Sequence, residues 1–97
     1  MVRGLILQQP FFGGTRRTAS ELRLEHDAVL PLCVNDLLWE MALPLGAGRD
    51  HQYCDFMAAG GSAAVAESGW RVLVSACYDD PLFDRQAELA KMLEEEL

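Results

Sequence analysis

The sequence is short of positive charge: eight Lys and Arg face fifteen Asp and Glu in 97 residues, for a net charge of −7. A nucleic-acid binder needs a basic footprint to release counterions from phosphates, so no nucleic-acid partner is expected. Cysteine is scarce and poorly spaced for metal or redox work. Cys33, Cys54 and Cys77 form no C-x-x-C pair and share no zinc-ligand spacing with a histidine, so no metal or other cofactor is expected. An odd number of isolated thiols reads as buried free cysteines in a reducing, cytoplasmic setting. No apolar run approaches the ~20 residues of a membrane span. The stretch from Gly4 to Leu7 stops at Gln8-Gln9-Pro10, too soon for a signal sequence. No membrane partner is expected.

What is present has a globular balance, 51% hydrophobic and 24% charged. That excludes a disordered acidic tail, and the length allows one small domain with a modest core. Charge is unevenly placed. Residues 1–23 carry four arginines against Glu21, a net of +3, whereas residues 79–97 carry seven carboxylates against Arg85 and Lys91, a net of −5. Arg16-Arg17 is too short for a nucleic-acid patch and reads as solvated loop.

Val2 to Leu7 has the length, branching and flanks of a buried strand. Thr18-x-x-Glu21 has capping-box spacing and predicts a short helix from Ala19 to about Glu25. A second helix is predicted from Val34 to Leu43, closed by Pro44 and Gly46. Residues 46–69, rich in Gly, Ala and Ser, read as loop with one helical turn near Ala63 to Glu67. Trp70 to Cys77 is a second strand, apolar enough to be buried on both faces. After Asp80-Pro81 a helix runs to the C-terminus, with Leu82, Leu89, Leu93 and Leu97 along one side. Two buried strands joined by a long helical crossover predict a parallel α/β layer.

Asp79-Asp80-Pro81 is the most informative local feature. At the carboxyl end of a strand in an open α/β sheet, a carboxylate is placed to orient a histidine and stabilise its imidazolium. Asp followed by Pro is equally good helix-start chemistry, and spacing alone favours that cap. Asp84 reads as a first-turn carboxylate complementing the helix dipole. Gly60-Gly61-Ser62-Ala63-Ala64 is a near miss of the nucleophile elbow G-x-S-x-G, without the strand that must precede the serine. Phe11-Phe12-Gly13-Gly14 lacks the leading histidine and third glycine of an oxyanion loop and reads as a strand-exit turn. His26 and His51 read as polar loop positions, and Trp39 and Trp70 as core.

V-R-G-L-I-L-Q-Q-P-F-F-G-G at Val2 to Gly14, with R-T-x-S-E-L-R-L-E-x-D to Asp27, resembles the plant carboxylesterases of the α/β-hydrolase superfamily. They form the fold-3 branch related to hormone-sensitive lipase. The resemblance continues in V-L-P-L at Val29, D-L-L-W-E-M-A-L-P at Asp36, R-D-H-x-Y-C at Arg49, G-W-R-V-L-V at Gly69 and D-P-L-F-D-R-Q-x-E-L at Asp80. It covers nearly the whole chain in family order. The implied architecture is a partial α/β-hydrolase fold with an incomplete sheet: two parallel strands, cap-region helices over about 15–69, and strand, acid turn and helix over 70–97.

The resemblance implies a Ser-His-Asp esterase acting on a small-molecule ester, with Asp80, first of the D-P-L-x-D motif, as the triad acid. Asp84 matches the motif's second aspartate and keeps its structural reading. The family's chain order is Ser, then Asp, then His. Elbow and H-G-G-G loop would precede Val2, and the histidine would follow Leu97. The chain thus resembles an internal fragment, expected to be inactive alone. Two departures stand out. Asp55-Phe56 and Met57 to Gly61 replace the usual Asn-Pro after Tyr-Cys, and Tyr78-Asp79 stands where a small residue and Gly often precede D-P. Rival readings are a fragment of a gibberellin-receptor-like hormone-binding protein, a dehydratase of the same family, and a truncated gene product without function.

Overall fold

The computed structural model describes residues 1–56, 58 and 60–96, with the side chains of all but 61, 62 and 96. The elements follow in the order β1 (Gly4–Gln8), α1 (Ala19–Arg23), α2 (Leu32–Ala42), α3 (Gly61–Ser68), β2 (Arg71–Ser75) and α4 (Phe83–Glu96). The strands pair in parallel, from Gly4 opposite Arg71 to Gln8 opposite Ser75. This is the expected α/β layer, and the sheet has two strands among the described residues.

Burial of the strands differs from the sequence expectation. Leu5, Leu7, Val72 and Val74 are half-buried, but Ile6 and Leu73 are 76% and 60% exposed. Alternate strand residues point to opposite faces. Helix α4 packs against β2, and the face carrying Ile6 and Leu73 meets no covering layer among the described residues. An all-apolar run signals a strand made for burial on both sides; it does not supply the second layer.

Helix α1 starts where the capping box predicts. Thr18 Oγ1 accepts the Glu21 N–H at 3.3 Å, and Glu21 Oε1 accepts the Thr18 N–H at 3.0 Å. Helix α2 begins at Leu32, two residues before the predicted start, with Pro31 as its N-cap. The span expected to be mainly loop contains the full helix α3. Gly60 and Gly69 bracket it with φ of 66° and 73°, the left-handed region that glycine enters without steric penalty. Glycines that suggested a loop instead delimit a helix.

Leu82, Leu89 and Leu93 of the final segment are buried as predicted; Leu97 and the departures at Met57 and Ala59 lie outside the described residues. Trp39, Leu43 and Cys54 form a second apolar cluster, and Phe11 stacks on Trp39 with ring centroids 4.8 Å apart. Trp70 is only half-buried. The cysteine expectation needs correction: only Cys54 is buried, while Cys33 and Cys77 are exposed, all three free. Cys33 lies in the exposed first turn of α2 and Cys77 in the exposed loop after β2. The most deeply buried side chains are mostly polar: Gln86, Glu21, Thr18 and Ser20.

Candidate active site

Asp80 stands beyond the carboxyl end of β2, in the turn that launches α4. Its N–H donates to Cys77 O at 3.0 Å, and its own carbonyl accepts the Phe83 N–H at 2.9 Å. Oδ1 accepts the Leu82 N–H at 2.9 Å, so the carboxylate does form a helix-start turn. Oδ2 accepts from Gln86 Nε2 at 3.3 Å. Each carboxylate oxygen keeps a further lone pair for another donor. Asp80 lines a cavity of ≈ 360 Å³ with Gln9, Asp27, Val29, Leu30 and Asp79. Gln9, also in the lining, leaves β1 with φ of 47° and donates its N–H to Ser75 O at 2.7 Å.

The turn is fastened from a distant part of the chain. Ser20 N–H donates to Asp84 Oδ2 at 2.8 Å, and the Asp84 N–H donates back to Ser20 Oγ at 3.1 Å. The Ser20 hydroxyl donates in turn to Pro81 O at 2.8 Å. Asp84 therefore does more than face the helix dipole: it locks α1 onto the first turn of α4. Beside it, Arg85 Nε donates to Glu21 Oε1 at 3.2 Å, and Arg85 also donates to the Arg16 carbonyl. Asn35 Nδ2 reaches Glu21 Oε2 at 3.5 Å.

The remaining motif residues have structural partners. A side chain at Gly13 would meet Cys54 Sγ at 2.9 Å and Trp39 Nε1 at 3.0 Å, and one at Gly14 would meet Arg85 Nη1 at 2.8 Å. These glycines permit close packing at the exit of β1. Arg17 forks onto Asp36 with bonds of 2.6 and 2.7 Å, and Arg49 adds a third at 3.2 Å. The Arg17 hydrogen bond holds the Asp36 carboxyl below its usual range. Burial pushes the Cys54 thiol up to about 11, which keeps it protonated and inert.

Ser62 is the second residue of α3, which Gly60 caps, and it does not sit on a turn straight out of a strand as an elbow would require; its side chain lies outside the described residues. His26 is solvent-exposed beside Glu25, and His51 Nδ1 accepts the Tyr53 N–H at 3.1 Å. Asp80 and Asp84 stand out in the sequence, whereas the roles of Ser20, the Glu21–Arg85 pair and Gln86 emerge only from the fold. One signal for Gln86 was available: it falls four residues after Leu82 and three before Leu89, a polar residue on the apolar side of α4.

Among the described residues no grouping of His, Cys, Asp and Glu could hold a metal ion, and no helix is long and apolar enough to cross a membrane. Two parallel strands joined by a helical crossover, with an aspartate-bearing turn after the second, make an open α/β layer. Residues 1–96 match the family model described as alpha/beta hydrolase fold, and the chain belongs to that family. It is 51% identical over 98 residues to a 3-O-acetylpapaveroxine carboxylesterase of Papaver somniferum, covering 98% of this chain and 31% of that protein. It is 42% identical over 95 residues to Carboxylesterase 20 of Arabidopsis thaliana, covering 95% of this chain and 29% of the relative. A gibberellin receptor of Oryza sativa is 35% identical over 95 residues, covering 98% of this chain and 27% of the receptor. The chain spans about a third of the length of the curated carboxylesterases it matches.

Proposed function

We propose that this chain is the acid-bearing segment of a serine carboxylesterase that hydrolyses small carboxylic esters, with Asp80 as the triad acid. The observation that carries the reading is the position of Asp80, in a hydrogen-bonded turn just past two parallel strands and lining a cavity there. Asp80 opens D-P-L-x-D in a chain 51% identical to a carboxylesterase. In the reaction the carboxylate would hold the tautomer of a histidine that deprotonates a serine, and stabilise the imidazolium that forms. In the proposed arrangement residues 15–69 contribute the cap region and 70–97 the strand, acid turn and helix. The setting we propose is cytoplasmic, in keeping with three unpaired thiols.

Neither histidine follows Asp80 in the chain, and G-x-S-x-G and H-G-G-G are missing from it. The purified 97-residue chain is therefore expected to be inactive. Serine-dependent turnover of a nitrophenyl ester by it alone would contradict that expectation. Activity is expected when residues 1–97 replace the matching segment of the poppy relative. In that chimera Asp80→Asn should lower kcat by about 10⁴; an unchanged kcat would rule out the acid role. A second reading is a segment of a gibberellin-receptor-like hormone-binding protein, supported by 35% identity to the rice receptor. Measurable gibberellin binding by a chimera that hydrolyses no ester would favour it.

A further inference from the structure

Gln86 is 1% exposed, among the most deeply buried side chains of the molecule. Burying a primary amide is unfavourable unless its donors find acceptors. Both neighbours of its nitrogen are acceptors: Pro10 O at 3.1 Å and Asp80 Oδ2 at 3.3 Å. That fixes the amide's orientation, because the reversed amide would set its oxygen against two oxygens.

We infer that Gln86 is the positioning residue for the Asp80 carboxylate, tying its Oδ2 edge to the exit of β1. The inference rests on the reading of Asp80 as triad acid. The backbone of the acid's own turn holds Oδ1 through the Leu82 N–H, which leaves rotation about that single anchor unrestrained. Gln86 supplies the second anchor, on the other oxygen, and refers it to Pro10 on the neighbouring strand's exit. In the loop that precedes Asp80, Cys77, Tyr78 and Asp79 are exposed, whereas Gln86 is buried against the carboxylate. An uncharged donor suits the task. Lysine or arginine at this place would form an ion pair with Asp80 and compete with an imidazolium for its charge, whereas an amide orients the carboxylate and leaves that charge in place.

Two readouts test the inference separately from the reading beneath it. In the 97-residue chain, with nitrogen isotope labelling, the Gln86 side-chain amide protons should move as Asp80 ionises and stop moving in Asp80→Asn. Amide protons indifferent to Asp80 would overturn the inference, whatever Asp80 does in catalysis. In the chimera, Gln86→Met keeps the volume without donors and should lower kcat about 10- to 100-fold, with KM within about twofold. Gln86→Glu donates only when protonated, so its activity relative to the unsubstituted chimera should climb as pH falls. An unsubstituted kcat in both variants beside an inactive Asp80→Asn would overturn the positioning role and leave the acid reading intact. Full activity in Asp80→Asn would overturn the acid reading, and the positioning role with it, while the amide readout still decides whether Gln86 touches Asp80.

Discussion

Arg85 and Glu21 form an ion pair, Nε to Oε1 at 3.2 Å, with only 9% and 2% of their side chains exposed. The pair joins the first turn of α4 to α1 across 64 residues of sequence. Glu21 Oε1 also accepts the Thr18 N–H and hydroxyl at 3.0 and 2.9 Å. A single carboxylate thus closes the α1 cap and holds the α4 cation.

Removing one partner strands the other charge in the interior. Glu21→Gln is expected to destabilise the chain by about 3–5 kcal/mol, a large fraction of a small domain's stability. The double variant Glu21→Leu with Arg85→Met should recover much of that loss, because no charge is left buried. Chemical denaturation midpoints of the three proteins check it.

Ser20→Ala should be costly for a residue so small. It removes the hydroxyl that accepts the Asp84 N–H and donates to Pro81 O. A loss of about 1–3 kcal/mol is expected, read as a lowered melting temperature.

Gly13→Ala should destabilise more than Gly14→Ala. The added carbon at 13 would press on Cys54 Sγ and the Trp39 ring, both inside the apolar cluster, whereas at 14 it meets only the end of the Arg85 side chain. Overpacking at 13 is expected to cost about 1–3 kcal/mol. Thermal melts of the two variants decide the order.

Two groups set opposite limits in pH. The Asp36 carboxyl lies below its usual range in the fold, chiefly through Arg17. Its stabilising contribution is therefore complete above the unfolded carboxyl's pKa of about 3.9 and is lost as pH falls through the lower folded value. Asp36→Asn should flatten the acid limb of stability. Cys54 works the other way: its thiol is held at about 11 against an ordinary 9.0. The unfolded chain loses that proton first, so stability falls as pH rises from about 9 to about 11. Cys54→Ala should remove that alkaline slope, and thiol reagents at neutral pH should label Cys33 and Cys77 while sparing Cys54.

The parts of the fold legible in the sequence are those written in local chemistry. Thr18 and Glu21 announce the start of α1, and Leu82, Leu89 and Leu93 announce the buried side of α4. The two apolar runs announce parallel strands, and D-P-L-x-D points to the turn at Asp80. Illegible were the features that depend on distant partners. Nothing near Ser20 says that it meets Asp84, and nothing near Gly14 says that Arg85 crosses it. Residues 61–68 misled for a different reason. Gly60 and Gly69 look like loop residues in isolation, and only their spacing around an alanine-rich stretch marks them as the two ends of α3.

The parallel pairing of Gly4–Gln8 with Arg71–Ser75 has a kinetic consequence. Neither strand can find its partner until nearly the whole intervening chain has been gathered in, and the Ser20–Asp84 clasp spans 64 residues in the same way. Loop closure of that length is an entropic toll levied before any contact rewards it. In the folding of residues 1–97, the docking of β1 on β2 is thus expected to be the slow event. Until it happens, β2 waits with an unsatisfied edge.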